Sequence, residues 1–264
     1  KSSNLDALDT QSLVTLFSEE DLEPQRAVNQ SLSQIVQAID LISQSMTKGG
    51  RLYYIGAGTS GRIGVLDAVE CPPTFCTPPD LVQGIIAGGL QSLVSSSEAL
   101  EDNASLGVED LKERDFSQKD SLIGITAGGT TPYVLGALQY AFNLGSPTIS
   151  ISSVSESQAL FPSNIDIRLL TGAELISGST RLKAATATKM TLNMISSIVM
   201  VKLGKVYKNK MIDVSATNTK LIDRSIRILT ELADIERENA LKLLEKSKGS
   251  LKTSILMAIG GLDV

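Results

Sequence analysis

Residues 52–75 read LYYIGAGTSGRIGVLDAVECPPTF, and this stretch decides the fold of the chain. The apolar run RLYYIGAG (51–58) is typical of a buried strand, and SGRIGVLDAV (60–69) favours a helix directly after it. A glycine loop between a strand and a helix points backbone N–H groups and the positive end of the helix dipole at an anion. The stretch therefore predicts a phosphate-binding turn.

The glycine spacing over 56–61 allows three interpretations of that turn. A nucleotide P-loop needs Lys and then Ser or Thr after the last glycine, and Arg62 and Ile63 stand there instead, so this interpretation is rejected. A dinucleotide site needs an acidic residue at the end of the next strand, whereas Asp80 precedes that strand, so support for it is weak. The third interpretation is a loop that holds a single sugar phosphate with Thr59, Ser60 and Gly61.

A second loop of the same kind supports the sugar-phosphate interpretation. ITAGGTTPYV (125–134) again places small residues and hydroxyls between a strand end and a helix start, with Pro132 in the first helical turn. Two such loops at neighbouring strand ends can surround one phosphate. The alternative is that both loops are only tight turns. The hydroxyls of the second loop that we assign to the substrate belong to Thr126, Thr130 and Thr131.

The rest of the chain repeats the strand–helix alternation. Four further apolar runs without a two-residue alternation predict a parallel sheet covered on both faces, that is, a doubly wound α/β sandwich. Helical patterns occupy 11–48, 91–106 and the region after 219, and we expect three segments: helical 1–41, a sheet domain at 42–205 and helical 206–264. The four runs are VQGIIAGG (82–89), DSLIGITAGG (120–129), SPTISIS (146–152) and IDIRLLTG (165–172).

Composition excludes several functional classes. The 264 residues include 24 basic and 29 acidic side chains, a net charge of −5, which offers no basic face for nucleic acid. There is no histidine, so histidine-based catalysis is impossible and zinc lacks its usual ligands. The two cysteines predict no disulfide framework. No apolar run approaches the ~20 residues of a membrane span, so we expect a cytoplasmic protein that needs no metal or cofactor.

Four segments together resemble the N-acetylmuramic acid 6-phosphate etherase family, which has the sugar isomerase (SIS), flavodoxin-like fold. The resemblance extends from about Asn4 to the last residues, and the pair GAGTSGR…ECPPTF and GAE…GSTRLKA is its most specific part. Glucokinase regulatory proteins resemble the same family. The four segments are YYIGAGTSGRIGVLDAVECPPTF (53–75), GGTTPYVLGALQYA (128–141), GAELISGSTRLKAATATKMTLNMIS (172–196) and KMIDVSATNTKL (210–221).

The resemblance implies cleavage of the D-lactyl ether of N-acetylmuramic acid 6-phosphate, in amino sugar recycling, by a homodimer. A base removes the C2 proton of the open-chain sugar, an acid protonates the departing ether oxygen, and water adds to the double bond. Glu70 matches the family's proton-donating glutamate, and Glu101 matches the second catalytic glutamate, to which we assign the base role. The alternatives are a solvated helix end for Glu70 and a solvated helix face for Glu101.

Further candidates and departures come from the same comparison. Glu174 and Lys183 are candidates for binding sugar hydroxyls and the phosphate or lactate carboxylate, or else they form a solvated turn before a helix. The family usually has Ser where Gly128 stands, Arg where Thr130 stands and Gly where Cys76 stands. The chain also stops before the family's usual C-terminal helix. Two rival functions remain, a non-catalytic phosphosugar-binding regulator and an aldose–ketose isomerase.

Overall fold

The computed structural model describes residues 4–95, 100–213 and 219–261. Its helices are α1 (Thr10–Glu20), α2 (Glu23–Gln30), α3 (Leu32–Thr47), α4 (Gly58–Val69), α5 (Cys71–Phe75), α6 (Gln91–Val94), α7 (Ala104–Lys112), α8 (Pro132–Asn143), α9 (Lys183–Lys202), α10 (Thr219–Ala233), α11 (Arg237–Lys246) and α12 (Leu251–Gly260). Its strands are β1 (Leu52–Gly56), β2 (Val82–Ile86), β3 (Ser121–Ile125), β4 (Thr148–Ser152), β5 (Ile165–Arg168), β6 (Val206–Tyr207) and β7 (Lys210–Met211). A short 3₁₀ turn covers Leu5–Ala7.

Strands β1 to β5 form one parallel sheet in the order β2-β1-β3-β4-β5. Every residue of β1, β3 and β4 is buried, which explains why these strands are continuous apolar or small-residue runs without alternation. After β2 the chain crosses to the other side of β1 to start β3, so β1 and β3 flank the switch point of the sheet. The predicted doubly wound α/β fold is confirmed.

Close contact between α4 and the sheet depends on glycine. A Cβ atom on Gly84 of β2 would lie 2.4 Å from the Cα of Val65 in α4, and one on Gly64 would lie 2.9 Å from the Cβ of Tyr54 in β1. Because real Cβ atoms do not approach so closely, larger residues here would push α4 off the sheet. The glycines therefore fix the position of the helix that carries the first predicted loop.

The helix predicted over 91–106 is wrong in its bounds. α6 ends at Val94, because Ser95 has an extended backbone (φ −133°, ψ 157°). α7 begins at Ala104, where the Asn103 side chain accepts a hydrogen bond from the Ser105 N–H at 3.0 Å. Glu101 consequently lies in a turn ahead of α7, while residues 96–99, including Glu98, lie outside the described residues.

The chain divides into two compact units, Lys1–Glu70 with Pro79–Val199, and Cys71–Pro78 with Met200–Val264. The first unit contains the parallel sheet. In the second, α10, α11 and α12 pack around a small apolar core that includes Leu229 and Leu251, and β6 and β7 form an antiparallel hairpin that sequence analysis missed. The boundaries 1–41, 42–205 and 206–264 stay a prediction.

Candidate functional site

The turn after β1 brings the strand end against the first turn of α4. A Cβ atom on Gly56 would lie 2.6 Å from the Gly61 nitrogen, and one on Gly61 would lie 2.6 Å from the Gly56 oxygen. Gly58, the first residue of α4, has a φ of +50°, which is the left-handed region that favours glycine. Each glycine of the pattern thus has a steric reason, and the predicted strand–loop–helix geometry is present.

The same turn presents backbone donors. Gly61 donates its N–H to the Ala57 oxygen at 3.2 Å, as the first turn of a helix requires. The N–H groups of Gly58, Thr59 and Ser60 precede that bond and have no acceptor within the helix. These three residues are only partly buried. An anion at this point would meet the N–H groups, two hydroxyls and the positive end of the helix dipole together.

The second predicted loop lies next to the first. Gly56 and Ile125 are paired in register at the ends of β1 and β3, so the two loops start about 4.8 Å apart, the spacing of neighbouring strands. In the second loop, the buried Thr126 hydroxyl lies 2.9 Å from the Thr131 hydroxyl. Gly129 has a φ of +78°, and its N–H donates to the Thr126 oxygen at 3.2 Å. The two loops are therefore adjacent, as predicted.

Two other positions of the second loop differ in exposure and space. Thr130 is exposed, and Thr131 is the residue immediately before Pro132, at the start of α8. Gly128 has nothing within 4 Å of the place where a Cβ atom would stand. A serine therefore fits at 128 without displacing any described atom.

Glu101 lies at both loops. A Cβ atom on Gly58 would be 3.1 Å from the Oε1 atom of Glu101, which puts this carboxylate beside the first residue of α4. The Tyr133 N–H, in the first turn of α8, donates to the Glu101 backbone oxygen at 3.0 Å. The structure thus places one of the two candidate catalytic carboxylates at the predicted anion site.

Tyr133 is itself firmly held. Its ring is fully buried, and its hydroxyl donates to Asp110 of α7. Burial, together with the Asp110 carboxylate, raises the pKa of Tyr133 far above its ordinary value, so the phenol stays protonated and keeps donating. The backbone bond from Tyr133 to Glu101 therefore comes from a rigid part of the unit.

Glu70 lies at the opposite end of α4 from the glycine loop. It is exposed and forms the C-cap of this helix, directly before α5. Glu70 is 12 steps along the chain from Gly58, and a rise of about 1.5 Å per step separates their Cα atoms by about 18 Å along the helix axis. Within one chain, the structure brings Glu101 but not Glu70 to the predicted anion site.

Glu174 and Lys183 are occupied by contacts with the scaffold. The Glu174 carboxylate accepts two hydrogen bonds at 3.0 Å, from the N–H groups of Lys183 and Ala184 at the start of α9. The Lys183 Nζ donates to the buried Glu20 carboxylate at 2.7 Å. These groups line a cavity of about 360 Å³ beside residues 170–175, after β5. The polar groups of this pair are therefore already engaged with the scaffold.

Sequence analysis missed two residues that hold α4 in place. The buried Asp67 accepts from the Tyr54 hydroxyl at 3.0 Å and from the Lys189 Nζ at 2.6 Å, which ties the helix to β1 and α9. Arg62 donates to the Ser95 backbone oxygen at 2.9 Å and so fixes the chain after α6. A charged residue among small and apolar neighbours in a packed helix, as in GVLDAV, was the available signal for Asp67.

The described residues lack two features. There, no group of three or more Cys, Asp or Glu side chains is arranged to hold a metal ion. Over the same ranges, no helix is both long and apolar enough to cross a bilayer.

Several known proteins are similar to this chain. The sequence model of the glucokinase regulatory protein N-terminal SIS domain matches residues 34–142. An N-acetylmuramic acid 6-phosphate etherase of Prochlorococcus marinus is 61% identical over 262 residues, which cover 99% of this chain and 84% of that protein.

This chain belongs to the N-acetylmuramic acid 6-phosphate etherase family. An etherase of a Synechococcus species is 57% identical over 264 residues and is covered to 84% of its length. Among solved structures, a phosphoheptose isomerase from Neisseria gonorrhoeae matches with a TM-score of 0.52 at 15% identity, over 71% of this chain and 98% of that one. The similarity to this solved structure shows the fold alone. The resemblance stated from the sequence motifs is confirmed.

Proposed function

We propose that this protein cleaves the D-lactyl ether of N-acetylmuramic acid 6-phosphate, yielding N-acetylglucosamine 6-phosphate and D-lactate. The observation that carries the proposal is the Glu101 carboxylate beside Gly58, at a helix N-terminus suited to a phosphosugar. Membership of a family whose curated relatives are named as etherases supports it. The proposed site of action is the cytoplasm.

The reaction requires a base and an acid. In the open-chain sugar, the C1 aldehyde acidifies the C2 proton, and a base removes it. The electron pair forms the C2=C3 double bond while the C3–O bond breaks, and an acid protonates the leaving lactate oxygen. Water then adds its hydroxyl at C3 and a proton returns to C2, so atoms balance without any redox step. Each proton-transfer group must lie within hydrogen-bonding distance of its target.

Glu101 is proposed as the base. Its carboxylate lies beside the first residue of α4, next to the N–H groups proposed to hold the substrate. The substrate phosphate is proposed to bind the N–H groups of 58–60 with the hydroxyls of Thr59 and Ser60, close to Gly61. On its other side it meets Thr126, Thr130 and Thr131. We do not extend the site to Glu174 and Lys183, because their polar groups already bind the scaffold.

Glu70 is proposed as the acid, acting in the active site of a second copy of the chain. A position about 18 Å from Gly58 cannot serve a sugar anchored there in the same chain. The neighbouring α4 side chains Leu66 and Val69 are apolar and 50% and 56% exposed, as expected of a face that a subunit covers. In a symmetric dimer, Glu70 of the partner subunit completes each site.

Mixing two inactive variants tests the proposal. Glu70→Gln and Glu101→Gln should each release D-lactate at least ~100-fold more slowly than the wild type and still bind the phosphosugar. When the two are denatured and refolded together, half of the dimers are mixed, and each mixed dimer has one intact site. Roughly a quarter of the wild-type activity should therefore return. No recovery in a proven mixed dimer would place both glutamates in one subunit or remove one from the mechanism.

A phosphosugar-binding regulator is the second candidate, because the match to the glucokinase regulatory protein domain covers the first glycine loop and Glu101. A regulator would bind N-acetylmuramic acid 6-phosphate without releasing lactate. An isomerase would instead convert an aldose 6-phosphate to a ketose. Incubation with N-acetylmuramic acid 6-phosphate, assayed for bound sugar and for D-lactate, separates the regulator from the etherase. Incubation with an aldose 6-phosphate, assayed for ketose, tests the isomerase.

A further inference from the structure

The C-terminal unit carries a charge opposite to that of the rest of the chain. Residues 71–78 and 200–264 include 12 basic and 8 acidic side chains, a net charge of +4. The remaining residues include 12 basic and 21 acidic side chains, a net charge of −9. A basic unit within an acidic protein attracts anions to itself and not to the molecule as a whole.

Three of the positive side chains of this unit line one cavity. It has a volume of about 410 Å³ and lies between the β6–β7 hairpin and α10, and we name it the C-terminal groove. Its size is that of a site for a small molecule. It is lined by Asn209, Lys210, Met211, Arg224, Arg227 and Ile228.

Two of the three cations have acidic partners. Lys210 contacts the exposed Glu231 at 2.8 Å. Arg227 contacts Asp223 at 3.1 Å, but Asp223 also pairs with Arg237 at 2.6 Å. The Asp223 carboxylate thus pairs with two guanidinium groups. These interactions, chiefly the hydrogen bond from Arg237, lower the pKa of Asp223.

Arg224 leaves the groove with uncompensated positive charge. Across 4–95, 100–213 and 219–261, the guanidinium group of Arg224 has no hydrogen bond or ion pair with any other described residue. Counting Arg224 with Lys210, Arg227 and Arg237 against two carboxylates gives a local net charge of +2. A guanidinium group presents several N–H donors in a planar fork that matches a phosphate or carboxylate. The lining therefore suits a doubly charged anion.

We propose that the C-terminal groove binds a small phosphorylated metabolite, separately from the glycine-loop site. The phosphate lies between Arg224 and the cations of Lys210 and Arg227, and the uncharged body of the ligand lies on Met211 and Ile228. A free metabolite fits better than nucleic acid, because the basic side chains surround one small cavity and do not form a long stripe.

Inorganic phosphate, titrated at low salt and followed by two-dimensional amide NMR of the full chain, tests the proposal site by site. Amides of 206–211 and 224–228 should shift on one binding curve, and those of 56–61 on another. Arg224→Gln should weaken the first curve at least about tenfold and leave the second unchanged. Arg224 is exposed, so the variant should fold. The matched control is Lys208→Gln, on the same hairpin but outside the groove, which should change neither curve.

Two outcomes would overturn the proposal. One is a titration in which only the glycine-loop amides shift, or in which the hairpin amides shift equally in Arg224→Gln. The other is a single phosphate site combined with a loss of kcat/KM for lactate release in Arg224→Gln, because Arg224 would then serve the reaction itself. Wild-type turnover in the variant, with the hairpin curve lost, supports a separate site.

Discussion

Replacing Gly58 by alanine perturbs the point where the helix start and the candidate base meet. The new methyl group would stand 3.1 Å from the Glu101 Oε1 atom, so the carboxylate must move by a few tenths of an ångström. The φ of +50° adds backbone strain of about 1–2 kcal/mol for a residue other than glycine. The variant should therefore be both less stable and less active.

The two effects have different magnitudes. The strain should lower the melting temperature by roughly 2–8 °C in a chain of this size. Misplacing a catalytic group by less than an ångström should lower kcat for D-lactate release by about 10- to 100-fold. Thermal unfolding and a lactate assay at a temperature where the variant stays folded measure the two effects separately.

Gly49→Ala is the matched control for strain. Gly49 has a φ of +85° and open space around a Cβ atom, and it lies before β1, at the sheet edge opposite to the glycine loops. It should lose a similar amount of stability and keep wild-type kcat. If Gly58→Ala retains wild-type kcat while showing the same loss of stability, the carboxylate beside Gly58 does not take part in the rate-limiting chemistry.

The remaining predictions concern one residue each. Lys183→Met should lower the free energy of unfolding in urea by about 3–5 kcal/mol, because it removes the cation that pairs with the buried Glu20 carboxylate. Adding Glu20→Leu should recover much of that loss, and a double variant whose loss is the sum of the two single losses would contradict this. Burial alone would raise the pKa of Asp120, but hydrogen bonds, first that from Arg51, lower it below the ordinary 3.8. The contribution of Asp120 to stability is therefore present above pH 3.8 and is lost as the pH falls through its pKa in the folded protein. Acid unfolding of Asp120→Asn should show a smaller loss of stability below pH 3.8 than the wild type, and an identical pH profile would refute the assignment. Gly128→Ser should bind the phosphosugar more tightly by ~1–3 kcal/mol of charge-assisted hydrogen bonding, whereas Gly128→Ala, which fills the same open space, should change nothing in a binding titration.

The sheet could be predicted because its signals are local. Each buried strand is a short apolar run, and the crossings that precede β2, β3 and β4 each contain a helical pattern, so the parallel arrangement follows without knowledge of distant contacts. The two glycine loops follow in the same way, since a strand end, small residues and a helix start occur within ten residues. Their adjacency needs only the switch point of the sheet.

What the sequence did not reveal depends on partners far along the chain. In the sequence, Lys183 is a candidate ligand for the phosphate or the lactate carboxylate, but nothing there indicates its ion pair with Glu20, which is 163 residues away. The break between α6 and α7 depends on the extended backbone of Ser95, whose carbonyl is bound by Arg62 of another helix. Neither partner can be recognised from local periodicity.

The separation of the two glutamates was present in the sequence but was not used. The predicted helix over 60–69 leads from the loop directly to Glu70, so its length already implied a distance that one sugar cannot span. An unbroken helix between two residues of one motif holds them apart.

Helix α4 carries the glycine turn at one end and Glu70 at the other, and glycine contacts and Asp67 fix it to the sheet. If each end serves a different catalytic centre of a dimer, a substitution that shifts α4 alters the phosphate site of one centre and the proton donor of the other at the same time. A subunit separated from its partner should then stop releasing lactate and still bind phosphate.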